Sequence, residues 1–100
     1  MISRQWRGLA HAQHAEAYVE HLRNDTFPQL RTIEGFAGAQ LLKRAVEQGV
    51  EFVVITQWAS LAAIQRFAGA DAEVAVVPEK AQKMMIDFDR RVRHYEIVSG

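Results

Sequence analysis

AGAQLLKRAVEQGVEFVVITQW, residues 37–58, reads as two strand-like runs joined at Gln48-Gly49. Glycine can supply the positive φ that a tight turn needs, so the stretch predicts a β-hairpin. Phe52 to Ile55 is unbroken apolar sequence, the pattern of a central strand covered on both faces. After Trp58 the period changes. Ser60 can cap a helix on which Leu61, Ile64 and Phe67 repeat on one side, until Gly69 stops it.

Working outward, Ile2 to Leu9 predicts a first strand with Ile2, Arg4 and Trp6 on one face and Ser3, Gln5 and Arg7 on the other. From Ala12 the residues Ala15, Tyr18, Val19 and Leu22 fall at helical spacing, with Glu16, Glu20 and Arg23 turned away. Asn24-Asp25-Thr26 followed by Pro28 predicts a break near Phe27 and then a short turn holding Leu30 and Ile33. Downstream, Asp71 to Ala75 predicts another turn. Pro78 suits the first turn of a helix that Ala81, Met84, Met85 and Phe88 continue. Arg91 to Val98 alternates as a last strand.

The order is βαβ followed by βαβ. It predicts an α+β, ferredoxin-like βαββαβ domain over residues 1–100, with a four-stranded antiparallel sheet covered by helices on one face. Strands 1 and 3 are expected side by side and parallel at its centre. QWRGLAHA, residues 5–12, and QWASLAAI, residues 57–64, echo one another, and this arrangement would place both Gln-Trp pairs at equivalent strand ends.

Composition narrows the function. The 100 residues contain no cysteine, which excludes disulfides, thiolate metal sites and cysteine nucleophiles. Lys plus Arg and Asp plus Glu are 12 each, so no single-signed field draws nucleic acid or an anionic membrane. The first ten residues lack the apolar run of a signal peptide, and no stretch approaches the ~20 apolar residues of a membrane span. The expectation is a soluble, cytoplasmic protein. Zero net charge with 49% hydrophobic residues predicts that a second copy covers part of the surface, as a homodimer.

The strand–helix opening, IEGFAGAQLLKR, EFVVITQWASLAAIQRFAG and the closing HYEIV together resemble the antibiotic-biosynthesis monooxygenase superfamily. The resemblance spans nearly the whole chain. It implies a homodimer whose two sheets close into a dimeric α/β barrel, with a cavity in many members between each sheet and its own helices. It also implies activities that include cofactor-independent oxygenation of phenols or quinols, quinol oxidation and heme degradation. The heme-degrading branch carries an Asn, a Trp and an iron-ligating His where this chain has Trp6, Phe67 and Val77, which disfavours that activity.

Within this frame Trp6, Trp58, Phe67 and Met85 are candidate walls of a pocket for a planar apolar substrate, though each also suits a core. His94 is the candidate base or anion partner, because imidazole can accept a phenolic proton near neutral pH. A histidine hydrogen-bonded to a neighbour is the plainer reading. Tyr95, on the opposite face, reads as a packing or interface residue. His14 and His21 are seven residues apart, about 10 Å along a helix, so no metal site is expected. Arg44, Arg91 and Arg93 can hold an anionic oxygen but more simply pair with Glu47, Glu51 or Glu96.

Two functions follow. One is a monooxygenase that needs no bound flavin, heme or metal and acts on a small aromatic, quinol or polyketide-like substrate with O2. The other is a non-catalytic dimer that binds a small apolar ligand or assists another enzyme.

Overall fold

The computed structural model describes all residues, Met1–Gly100. Five strands form one sheet: β1 (Ile2–Ala10), β2 (Phe36–Ala45), β3 (Val50–Trp58), β4 (Met85–Phe88) and β5 (Arg93–Glu96). The order is β2-β3-β1-β4, with β5 also on β1. The helices are α1 (Ala15–His21), α2 (Phe27–Leu30), α3 (Leu61–Ala68) and α4 (Glu79–Gln82). The architecture is α+β, a ferredoxin-like antiparallel sheet with helices packed on one face.

β1 and β3 are adjacent but antiparallel, from Ile2 opposite Trp58 to Ala10 opposite Val50. This corrects the expected parallel pair: one crossover and one hairpin between them reverse the chain. Trp58 therefore ends its strand, whereas Trp6 sits mid-strand opposite Val54. The two Gln-Trp pairs are not equivalent. Both indoles nevertheless share the helix-covered face, because directly opposed residues of an antiparallel pair lie on the same side.

The hairpin between β2 and β3 closes through Val46 and Gly49, which exchange backbone hydrogen bonds of 2.9 and 3.3 Å. Gly49 does not have a positive φ. Its requirement is steric, since a Cβ there would strike the carbonyl oxygen of Ala10. Ser60 caps α3 by accepting from the Ala63 N–H at 3.1 Å, and Gly69 ends it at φ 90°.

Two predicted elements differ. A single helix from Pro78 to Phe88 is replaced by α4 and β4, because the edge of β1 offers unpaired backbone groups that a helix would leave unmet. Leu9 pairs with Asp87, and a register shift follows at Ala10 opposite Met85. The last strand is thus split: β4 covers the C-terminal half of β1, and β5 pairs with Ile2 to Gln5. There is likewise no break at Phe27. The helix widens into a π-helical segment, Leu22–Thr26, in which the Phe27 N–H donates to Leu22 O. The wider turn accommodates Pro28, which lacks an N–H and would crowd the carbonyl four residues back.

Two buried clusters make the core. Trp6, Tyr18, Phe52, Met85 and Val92 belong to the larger; Leu30, Trp58, Ala63 and Ile64 to the smaller.

Candidate functional site

Where the two clusters meet, they leave a cavity between the sheet and its helices. Its volume is about 70 Å³. The strands contribute Arg4, Trp6, Val54 and Thr56. The helical arm supplies Tyr18, His21, Leu22, Thr26 and Leu30, and α3 supplies Phe67. Val76, Val77, Pro78 and Ala81 close it from the segment that follows α3, beside Val92.

Arg4 is inside because β1 alternates: Ile2, Arg4, Trp6, Gly8 and Ala10 face the helices opposite even-numbered residues of β3. It is only 4% exposed. Its Nη1 donates to Ala72 O and to His94 Nε2, the latter at 3.0 Å, and its Nη2 donates to Val74 O at 2.8 Å. Its guanidinium carbon stands 5.6 Å from the centre of the Phe67 ring. Burial, with no neighbouring carboxylate to offset it, pulls its pKa down to about 10. The residue remains a cation near neutrality, held by neutral acceptors.

The segment supplying those acceptors is fastened independently. Val92 N donates to Glu73 O at 2.8 Å and Ala75 N to Arg90 O at 2.9 Å. The Arg91 guanidinium bridges Asp71 and Glu73 at 3.0–3.3 Å. Arg91 is thus a strap on the outside, and Arg4 ties the same segment from within.

The π-helical segment shapes the opposite wall. On an α-helix at ~100° per residue, side chains five apart diverge by about 140°. The wider turn brings Thr26 Oγ1 to 3.3 Å from His21 Nε2, and both residues line the cavity. His21 is 6% exposed, and its Nδ1 is buried without a hydrogen bond, with Asp25 Oδ2 at 3.7 Å. Burial pushes the Tyr18 phenol up, so it stays protonated and can act only as a neutral hydroxyl near pH 7.

Of the predicted wall residues, Trp6 and Phe67 line the cavity. Trp58 does not: it is fully buried behind Phe67, stacked on it at 5.8 Å, with its N–H on Thr56 Oγ1 at 2.8 Å. Met85 is packed in the larger cluster. His94 lies directly opposite Arg4 on β5 and borders a shallow hollow with Met1, Ile2, Ala59, Tyr95 and Glu96. It contacts Arg4 and does not line the cavity. Arg4, His21 and Thr26 were missed as a group. Arg4's inward position on the Trp6 face was the available signal; the His21–Thr26 spacing is visible only once the turn is known to be π-helical.

The sequence profile of the family described as antibiotic biosynthesis monooxygenase matches residues 1–79. The chain belongs to this family. Among solved structures, an antibiotic biosynthesis monooxygenase family protein from Bacillus cereus aligns over 100% of this chain and 94% of its own, at TM-score 0.69 and 19% identity. A variant of MhuD with two manganese protoporphyrin IX molecules per active site aligns over 100% and 97%, at TM-score 0.72 and 20% identity. The ActVA-Orf6 monooxygenase of Streptomyces coelicolor, in complex with nanaomycin D, aligns over 99% and 88%, at TM-score 0.64 and 17% identity. Among the curated proteins there is no match. Identities this low establish a shared fold, and the site must argue for the chemistry. No helix of this family member is long and apolar enough to cross a membrane.

Proposed function

We propose that this protein is a monooxygenase of a small aromatic or quinol substrate, with the cavity between sheet and helices as its active site. The observation that carries this reading is the cavity wall itself, which sets Arg4 and His21, with the hydroxyls of Thr26 and Thr56, among aromatic and aliphatic side chains. That is the composition of a site that orients a flat apolar molecule by a few polar contacts.

Ground-state O2 is a triplet and reacts slowly with closed-shell molecules, so the substrate must first become a better electron donor. Removing a proton from a phenol, or from the carbon between two aryl groups of an anthrone, achieves this. The anion passes one electron to O2, the two radicals combine as a hydroperoxide, and loss of water leaves one oxygen atom in the product as a quinone carbonyl. In this reading His21 takes the proton, Arg4 holds the polar end of the substrate, and the aromatic walls keep out bulk water. His94 acts through Arg4 as a positioning residue.

The heme chemistry suggested by the MhuD-like fold does not fit these residues. By the family resemblance, Trp6, Phe67 and Val77 take the places of that branch's Asn, Trp and His, and none of the three, all on the cavity wall, carries an iron-binding atom.

We also propose that a second copy covers the helix-free face of the sheet. Leu9, Leu42, Val53, Ile55 and Tyr95 lie on that face, with Leu42 47% and Tyr95 50% exposed. Light scattering should give twice the monomer mass, and Leu42→Glu should halve it.

The test of activity is O2 uptake with dithranol, an anthrone, while quinone absorbance is followed. One O2 consumed per quinone formed supports the reading, and uptake should fall about tenfold or more in His21→Gln with the fold unchanged. The absence of uptake above the buffer rate across anthrones and quinols would leave the non-catalytic ligand-binding dimer as the better description.

A further inference from the structure

Arg4 has more hydrogen-bonding capacity than the protein uses. An arginine carries five N–H donors. Three bonds are made, to Ala72 O, Val74 O and His94 Nε2. The two donors left, on Nε and Nη2, belong to neighbouring nitrogens of the planar fork, the pair that a carboxylate can accept side-on. A buried cation without an opposite charge is costly, and protein carbonyls offset only part of that cost. The other arginines in close ion pairs spend their charge on protein acids: Arg7 and Arg44 on Glu51, Arg91 on Asp71 and Glu73, and Arg93 on Asp89. Arg4 alone combines a wall position in the cavity with an uncompensated charge.

We propose that the ligand of this cavity is a small flat aromatic carboxylate, its carboxylate on the free edge of Arg4 and its ring against Trp6 and Phe67. The inference rests on reading the cavity as the ligand site and adds the class of molecule that enters it. Apolar walls favour the ring, and the unpaired guanidinium selects the acid over its neutral counterpart. A wrong ligand is rejected because an amide in the same place would bring an N–H toward the guanidinium donors.

Calorimetric titration of the intact protein near pH 8 with 2-naphthoate and with 2-naphthamide tests this. These have nearly the same shape and differ in charge. Naphthoate should bind at least about tenfold more tightly, and Arg4→Met should remove that preference while naphthamide affinity stays within about twofold. Should Arg4→Met fail to fold, Arg4→Lys keeps the charge but loses the fork, and is expected to weaken naphthoate alone. A preference below tenfold in the wild type, no binding of either compound, or an undiminished preference in either variant overturns the proposal. Neither compound need be oxidised. Naphthoate preference without O2 uptake from anthrones therefore supports the carboxylate site and overturns the oxygenase reading; O2 uptake with both compounds binding alike does the reverse.

Discussion

His94 Nε2 lies 3.0 Å from Nη1 of Arg4, at directly opposed positions of the β1–β5 ladder. Arginine can only donate, so Nε2 accepts and the ring proton sits on Nδ1. An imidazolium has no lone pair to offer and would confront a cation. Burial first, and the Arg4 charge second, hold the His94 pKa below the ordinary imidazole value, with Glu73 opposing.

The sign of the resulting pH dependence follows. A histidine whose folded pKa is depressed stabilises the protein above its unfolded value, near 6.5, and loses that contribution as pH falls toward the lower folded value. Wild-type stability should decline on this acid side, and His94→Gln, whose carbonyl can accept without titrating, should decline less. His94→Ala leaves a buried donor unmet and should lose about 1–3 kcal/mol at neutral pH. Urea titrations of the three proteins at pH 7.5 and 5.5 check both statements.

Glu51, on the other sheet face, also loses its stabilisation in acid, but because its charged form is the favoured one. The guanidiniums of Arg44 and Arg7 hold its carboxyl below the usual carboxylate range, with Arg44 Nε at 2.5 Å. The stabilisation is present above the unfolded pKa and lost as pH falls through the folded one. Glu51→Gln should therefore narrow the difference in urea midpoint between pH 7 and pH 3.5. An equal acid loss in variant and wild type would count against the paired carboxylate.

Gly8 is tied to the cavity floor. A Cβ there would meet Trp6 Cζ3 at 2.8 Å and Met85 Sδ at 3.0 Å, so the indole lies across the glycine backbone. Gly8→Ala should cost about 1–3 kcal/mol by displacing the indole. Chemical denaturation followed by tryptophan fluorescence would report both the loss and the altered Trp6 environment.

Trp58→Ala should be costlier, at about 3–5 kcal/mol, because it empties a fully enclosed volume. It also removes the surface on which Phe67 stacks, so naphthoate affinity should fall although Trp58 never reaches the cavity. Trp58→Phe should recover most of the stability. Thermal unfolding with and without naphthoate separates the two effects.

Much of this arrangement was legible in the chain. The hairpin, Ser60, Gly69 and the inward face of β1 follow from local chemistry and alternation. The error over Met84 to Phe88 is equally physical: the apolar spacing suited a helix, but pairing with the open edge of β1 decided the outcome. Arg4 was harder to read. Nothing adjacent in the chain marks it, and its burial depends on the carbonyls of Ala72 and Val74, 68 and 70 residues away. His21 and Thr26 came together through a turn geometry that α-helical periodicity does not describe.

The Arg4–His94 contact joins residues 90 apart in sequence. A growing chain thus presents its first strand, with a charged side chain on the face destined for the interior, long before the matching strand exists. Closing so long a loop is entropically unfavourable, and its reward comes only when the last strand docks. The Arg4 end of the cavity is therefore complete only once the last strand has docked. Unpaired edges of β1 must stay protected in the interval.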